Sequence, residues 1–140
     1  MVLRYGRSRM ESTTMSRPKV AAVRARVLVV EDEELVRDAL GPLLERDGYE
    51  VSFAGNGREA LQRLYTEAAP DLIVLDLRMP VMDGWEFRRQ QQADPDLAPV
   101  PVIVLSALDQ RRTGMVDAAA FIKKPLDFDR LIELVREHCR

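Results

Sequence analysis

The stretch DLIVLDLRMPVMDG, residues 71–84, contains a uniformly apolar run that ends on a carboxylate. Residues 72–75 are apolar throughout, as expected of a strand that helices cover on both faces of a parallel sheet. Asp76 follows at once, and a proline and a glycine come within the next eight positions. This acid either marks the edge of a core or is held at the end of a strand in order to react. The other strand ends must decide between the two.

Outward from this stretch, short apolar runs alternate with longer amphipathic segments, which is typical of repeated βα units. The predicted strands are residues 26–30, 50–54, 72–75, 101–105 and 119–123. The predicted helices are residues 33–48, 57–68, 83–92 and 127–139, with a weak additional helix at 109–117. Five parallel strands with right-handed crossovers favour an α/β, doubly wound, flavodoxin-like sandwich of strand order 2-1-3-4-5.

The spacing of apolar residues indicates a stripe on each of the first two predicted helices, and individual residues mark a kink and two helix ends. The two stripes are Leu35, Val36, Leu40, Leu43 and Leu44 in the first helix, and Ala60, Leu61, Leu64 and Tyr65 in the second. Pro42 removes a backbone donor, so we expect a kink there. Gly48 is predicted to end the first helix and Asp127 to cap the last.

Composition limits the chain to one globular domain. Its 140 residues suit a single core, and 46% hydrophobic with 31% charged residues is ordinary globular composition. No apolar run approaches the roughly 18–20 residues that cross a bilayer. One cysteine, Cys139, and one histidine, His138, cannot build a disulfide framework or a His/Cys metal cluster. We therefore expect a cytoplasmic protein that does not associate with membranes.

Charge is unevenly distributed along the chain. Residues 1–26 carry seven Lys/Arg against one acid, a charge of +6, so the remainder carries -8 to give the net -2. Residues 1–25 are predicted to be a basic, disordered N-terminal extension, and Met10 or Met15 is an alternative natural start. Residues 26–140 would form the domain, and its acidity predicts no direct nucleic acid binding.

Polar side chains follow four of the five predicted strands. Glu31 and Asp32 follow the first, Asp76 the third, Ser106 the fourth and Lys124 the fifth. Each residue alone has an ordinary explanation, as a solvated acid, a turn hydroxyl or a surface lysine. Because ligands of such sheets bind beyond the carboxyl ends of the strands, we expect these side chains to meet.

Three clustered carboxylates repel one another, and a hard divalent cation relieves that repulsion. Mg²⁺ prefers oxygen ligands and a partly open site, whereas zinc would need His or Cys. With the metal bound, Asp76 is predicted to attack a phosphoryl group and form an aspartyl phosphate. Lys124 would offset the charge on the phosphoryl oxygens, and Ser106 would donate a hydrogen bond to the product.

From about Arg26 to the C-terminus the chain resembles the receiver domain of bacterial two-component response regulators (CheY-like). The matching motifs are VLVVEDEE, LIVLDLRMPVMDG, VIVLSA and FIKKP, in that order. The spacings, 44 positions from Asp32 to Asp76 and 30 from Asp76 to Ser106, are similar to those of the family.

This resemblance implies roles for individual residues. It makes Asp76 the phosphoacceptor, Asp32 a direct Mg²⁺ ligand, Glu31 a ligand through water and the Arg78 backbone carbonyl the remaining protein ligand. It makes Phe121 the aromatic that changes rotamer when Ser106 moves. The lysine next to Pro125, Lys124, is chosen over Lys123, and its peptide with Pro125 is often cis in similar proteins.

The resemblance also implies partners. The phosphodonor would be a sensor histidine kinase or a histidine phosphotransfer protein, and the output a contact with a downstream protein. Since the chain ends with the last helix, we expect a stand-alone receiver. It would not be an enzyme but a stoichiometric phosphoacceptor that promotes its own phosphorylation and dephosphorylation.

The chain departs from the family pattern between Ser106 and Lys124. The span of 18 positions is about one helical turn short, and Gly114 lowers helix propensity further. We predict a shortened fourth helix, which puts in doubt the signalling face that the fourth helix, the fifth strand and the last helix would form.

Three other functions are weighed. A receiver-like scaffold would bind partners without phosphorylation. A phosphohydrolase with an aspartyl-phosphate intermediate needs a second acid two positions after the nucleophile, where this chain has Arg78. A flavin binder would need a phosphate-cradling loop after the first strand instead of EDEE.

Overall fold

The computed structural model describes residues 24–107 and 117–139. Within them, five strands alternate with helices. The strands are β1 (Arg26–Val30), β2 (Glu50–Ala54), β3 (Leu72–Asp76), β4 (Val102–Ser106) and β5 (Ala120–Lys123). The described helices are α1 (Glu34–Arg46), α2 (Gly57–Thr66), α3 (Gly84–Ala93) and α4 (Phe128–His138).

The strands form one parallel sheet in the order β2-β1-β3-β4-β5, which confirms the predicted α/β doubly wound fold. β3 lies at the centre, between β1 and β4. Its register places Val74 beside Val29 of β1 and Ile103 of β4. The end of β3 is therefore the middle of one rim of the sheet.

The sheet separates two hydrophobic cores, since alternate residues of each strand point to opposite faces. On one face the strands pack against α2 and α3, with Phe87 fully buried among them. On the other face they pack against α1 and α4, through Leu40 and Leu131. Coverage on both faces explains why the central strands are apolar at every position.

The predicted strand positions are correct to within one residue at each end. Asp76 and Ser106 are the last residues of β3 and β4, not the residues that follow them. Of the predicted extension 1–25, residues 1–23 lie outside the described residues. The weak additional helix does so too, since residues 108–116 are not described. Disorder and a shortened helix there stay predictions.

Two residues of the predicted stripes are exposed and do not contribute to the core. Leu35 is 84% exposed and Tyr65 is 62% exposed. Leu35 lies in the first turn of α1, which begins beyond the carboxyl end of β1, and Tyr65 lies in the last turn of α2. Helical spacing finds a face of the helix, but it does not reveal how far the sheet extends beneath that face.

Helix ends follow the predicted chemistry. Gly48 has a φ of 98°, and its backbone N–H donates to the Glu45 carbonyl as α1 ends. The Asp127 carboxylate accepts from the backbone N–H of Arg130 at 3.1 Å and caps α4. Pro42 lies inside α1, which continues to Arg46, and the kink expected there stays a prediction.

A buried polar pair on α3 was not predicted from the sequence. The Arg88 guanidinium donates through Nε to the Asp117 carbonyl and through Nη1 to Gln91 Oε1, both at 2.8 Å. The Gln91 amide nitrogen donates to the carbonyls of Leu97 at 3.0 Å and Val100 at 3.1 Å. The pair thus joins α3 to the loop before β4 and to the chain before β5.

None of the helices in residues 24–107 and 117–139 combines the length and the apolar character that crossing a membrane requires.

Candidate functional site

Three carboxylates meet at the carboxyl ends of β1 and β3. Glu31 and Asp32 directly follow β1, and Asp76 ends β3. One oxygen from each residue lies within 4.8 Å of the others. Glu31 and Asp76 are buried, whereas Asp32 is exposed. The cluster therefore has two fixed carboxylates and one that opens to solvent.

Glu31 is fully buried, with 0% of its surface exposed, and local hydrogen bonds orient it. Its Oε2 accepts from the backbone N–H of Glu33 at 3.1 Å. Its backbone carbonyl accepts from Arg37 Nη1 at 3.1 Å, and its backbone N–H donates to the Ala54 carbonyl at 2.9 Å. The turn from β1 into α1 therefore holds this carboxylate toward the rim.

Lys124 supplies the cation that faces the cluster. Its Nζ lies 3.0 Å from Glu31 Oε1, 3.2 Å from Glu33 Oε1 and 3.5 Å from Asp76 Oδ2. Lys123 ends β5 with its side chain exposed. The structure thus brings Lys124 to the cluster, and the Lys124–Pro125 peptide is cis as the resemblance implied.

Ser106 lies buried at the end of β4, beside this group. Its backbone carbonyl accepts from the Lys124 N–H at 2.8 Å, so the ends of β4 and β5 are tied together. Phe121 is half-buried in β5 and packs against the core of α2 and α3. The hydroxyl role of Ser106 and the rotamer change of Phe121 stay predictions.

An open cleft of about 350 Å³ leads to the carboxylates. Arg78 and Ala107 line it together with Asp32, Asp76 and Lys124. The Arg78 side chain is exposed, and its backbone N–H bonds to Asp76, which works to lower the pKa of that carboxylate. Every residue of the predicted site therefore lies in or beside one cleft, except Phe121, which packs below it.

Burial dominates the electrostatics of the cluster. Desolvation, followed by repulsion from Asp76, raises the pKa of Glu31 to about 7. Desolvation also raises the pKa of Asp76, although Lys124 opposes the change. Burial works against the charged form of Lys124, but its hydrogen bond to Glu31 and the charge of Asp76 outweigh this and raise its pKa. The single positive charge of Lys124 therefore does not neutralise all the carboxylates of the cluster.

Residues 77–83 join β3 to α3 through a strained turn. The Met82 N–H donates to the Pro80 carbonyl at 2.8 Å, and Val81 between them has a φ of 70°. This is a γ-turn with a left-handed central residue, a rare and strained form. Val81 is the only non-glycine residue with positive φ in the described parts of the chain, and it is 72% exposed.

Replacing Val81 by glycine is expected to stabilise the fold by about 1 kcal/mol. Left-handed backbone costs an L-residue roughly 1–2 kcal/mol, and the greater freedom of glycine in the unfolded chain offsets part of the gain. Chemical unfolding measures the change. Val81→Ala is the matched variant, because it removes the isopropyl group and keeps the strain. Equal stability of the two variants would show that the turn is not the cause.

Residues 27–136 match the family model for the response regulator receiver domain. The chain belongs to this family. The receiver domain is 35% identical over 116 residues to the polar-differentiation response regulator DivK of Brucella anthropi, covering 80% of this chain and 94% of DivK.

Solved receiver structures have the same fold. The receiver domain of a signal transduction histidine kinase from Syntrophus aciditrophicus is 37% identical, with a TM-score of 0.77, covering 82% of this chain and 89% of that one. The response regulator TrrA from Thermotoga maritima, solved in complex with Mg²⁺-BeF, is 32% identical with a TM-score of 0.71. That match covers 81% of this receiver domain and 97% of TrrA.

The residues present fit a hard divalent cation. The receiver domain offers three carboxylate oxygens within 4.8 Å of one another, and one donor group, that of Asp32, faces solvent. Oxygen ligands with an open side are what Mg²⁺ prefers. The raised pKa values of Glu31 and Asp76 give a second reason, because a cation there would favour the ionised forms.

Glu33 is a member of the site that sequence reasoning missed. It precedes α1, and its side chain reaches Lys124 while 61% of it remains exposed. The sequence feature that could have indicated Glu33 is the acidic run EDEE at residues 31–34, in which only the first two acids were assigned a role. Lys124 is thus held between one buried and one exposed carboxylate.

Proposed function

We propose that this receiver domain is an Mg²⁺-dependent phosphoacceptor whose modification at Asp76 changes its binding to another protein. The observation that carries the proposal is the meeting of Asp76, two further carboxylates and Lys124 in one open cleft. Its donor would be a phosphohistidine on a sensor histidine kinase or a phosphotransfer protein. The setting would be cytoplasmic, and the output a contact with a downstream protein.

In the proposed step, an oxygen of the Asp76 carboxylate attacks the phosphorus of the donor. A P–O bond forms as the P–N bond to the donor imidazole breaks, and the ring nitrogen leaves with the electron pair and takes a proton from solvent. Mg²⁺ held by Glu31, Asp32, Asp76 and the Arg78 carbonyl would neutralise charge on the phosphoryl oxygens. Lys124 provides a second positive charge beside Asp76, and Ser106 a hydroxyl.

The chain itself orients these groups before any donor arrives. The hydrogen bond from Glu33 and the ion pair with Lys124 hold Glu31, while β3 fixes the backbone of Asp76 between two strands. Such preorganisation lowers the barrier, because Glu31 and the backbone of Asp76 do not have to be ordered during the reaction. The protein would act once per donor and not turn over a pool of substrate, so we class it as a phosphoacceptor and not as an enzyme.

Intact mass measured after incubation with a small acyl phosphate and Mg²⁺ tests the proposal. We expect one added phosphoryl group that hydroxylamine removes, and no adduct without Mg²⁺. Asp76→Asn should lose the adduct completely. Asp83→Asn is the matched control, because Asp83 is a nearby carboxylate whose role as N-cap of α3 asparagine preserves.

Two outcomes would contradict the proposal. No adduct on the wild type would favour a scaffold that binds partners without phosphorylation, and an adduct that persists in Asp76→Asn would place the reaction elsewhere. Continuous turnover of a small phosphate ester would instead favour a phosphohydrolase.

A further inference from the structure

A cleft between α1 and α4 lies on the sheet face away from α2 and α3. Its volume is about 570 Å³. The half-buried side chains of Leu43 and Ile132 lie in it, and charged residues surround them. These charged residues are Arg46, Asp47, Asp129, Glu133 and Arg136. We refer to these seven residues as the α1–α4 face.

Charge is ordered along this face. Arg136 bonds to Asp47 through both Nε, at 2.9 Å, and Nη2, at 2.6 Å, which joins the C-terminal ends of α1 and α4. Arg46 lies at that same end, whereas Asp129 lies in the first turn of α4. Cations thus collect at one end of the face and a carboxylate stands at the other.

Two of these charges lack an ion-pair partner in the part of the chain that the structure describes. Within residues 24–107 and 117–139, neither Arg46 nor Asp129 takes part in an ion pair. Glu133 is already neutralised by Arg130, whose Nη1 lies 3.2 Å from Glu133 Oε1. The unsatisfied charges of the face are therefore one cation and one anion, at opposite ends.

We propose that the α1–α4 face binds a second copy of this chain, with the two α4 helices antiparallel. Asp129 and Arg136 are seven residues apart, two turns along one side of α4. A two-fold axis between them, near Ile132, places Asp129 of each copy opposite the Arg46 and Arg136 end of the other. The two Ile132 side chains then lie close together at the centre.

Charge favours a second copy over other occupants. Arg136 is paired with Asp47, and Glu133 is paired with Arg130 beside the face, so the charges left for a partner are Arg46 and Asp129, one of each sign. The chain beyond residue 26 carries -8 overall, which would favour a strongly basic partner elsewhere on the surface. A face whose two unpaired charges have opposite signs and lie at opposite ends is complementary to itself when it is turned around.

Sedimentation velocity of the full, unphosphorylated chain tests the dimer. We expect a monomer–dimer equilibrium between about 10 and 500 µM, weakened by high salt because exposed ion pairs are screened. Arg46→Asp and Asp129→Arg should each raise the dissociation constant about 10-fold, since symmetry removes two contacts per dimer. Both residues are exposed and form no ion pair with another described residue, so the fold should tolerate either change.

The double variant Arg46→Asp with Asp129→Arg decides the geometry. It restores opposite charges across the interface in the reverse sense, so we expect dimerisation to return to within about 3-fold of the wild type. Arg58→Asp, on α2 and the opposite sheet face, is the control and should have no effect. A monomeric wild type over the whole range, or a double variant no better than the singles, would overturn the proposal. The outcome is independent of phosphorylation at Asp76.

Discussion

Free of divalent metal, the protein is expected to lose about 3 kcal/mol of its free energy of unfolding as the pH rises from about 5 to about 8. The pKa of Glu31 is about 7 in the folded chain and 4.5 at its ordinary value. Between these values the folded state binds the proton more tightly than the unfolded state, so stability falls as the proton is lost. Asp76 acts in the same direction, since burial raises its pKa as well.

Other groups do not reverse this trend within that range. Lys124 stays charged, because its pKa is raised above the ordinary 10.5. The pKa of Asp47 is lowered by its hydrogen bond to Arg136, so its contribution to stability is lost only in more acidic solution. The decline therefore reports the carboxylate cluster.

Urea unfolding in a chelator at several pH values measures the decline, and a repeat with excess Mg²⁺ tests its origin. A cation that binds the ionised carboxylates should stabilise the folded state by mass action, by about 2.7 kcal/mol at 100 times the dissociation constant. This stabilisation by Mg²⁺ should grow with pH.

In Glu31→Gln we expect most of the pH dependence of stability to disappear. A wild-type stability that is flat or rises with pH would show that Glu31 is not held protonated.

Replacing Gly84 by alanine is expected to cost about 2 kcal/mol of stability and to slow phosphorylation at Asp76 by 10-fold or more. A Cβ on Gly84 would lie 2.5 Å from the Asp76 carbonyl oxygen and 2.8 Å from the Leu77 Cα. Both atoms belong to the backbone of the site, so they cannot move aside without moving Asp76. The Gly84 N–H also donates to the Leu77 carbonyl at 2.9 Å, which keeps α3 against this strand end.

Gly55→Ala is the matched control for this substitution. A Cβ there would lie 3.4 Å from Arg37 Nη1 and from Glu59 Oε1, and both are ends of flexible side chains. Unfolding free energies and the rate of adduct formation with an acyl phosphate measure the two effects. If Gly84→Ala matched Gly55→Ala in both, close backbone packing at the start of α3 would not matter for the site.

Much of the fold was predictable because the apolar runs, the direction of the strands and the polar residues after them all indicate the same structure. Apolar runs such as residues 72–75 could only be strands covered on both faces, and the rim then follows from their parallel direction. Asp76, Ser106 and Lys124 were found because a polar residue directly after such a run has a known place on that rim. Only the strand ends had to be known for this, and the sequence locates strand ends well.

The features that could not be predicted from the sequence depend on how helices and strands lie relative to one another. Leu35 fits the helical stripe, but whether sheet lies beneath it depends on where α1 starts relative to β1. Glu33 reaches Lys124 across 91 positions, and nothing local distinguishes it from the neighbouring Glu34. Arg88 and Gln91 have polar side chains that indicate an exposed face, yet backbone carbonyls of distant segments satisfy them inside the core.

The buried pair on α3 also restricts how this sequence can change over evolutionary time. Losing Arg88 or Gln91 alone leaves polar groups in the interior without partners. Exchanging both for apolar side chains does not remove this cost, because the backbone carbonyls of Asp117, Leu97 and Val100 then lose their donors. Single and double substitutions at these positions are therefore both expected to lower stability. Both positions should stay unchanged in a lineage unless the three backbone carbonyls find other hydrogen-bond donors.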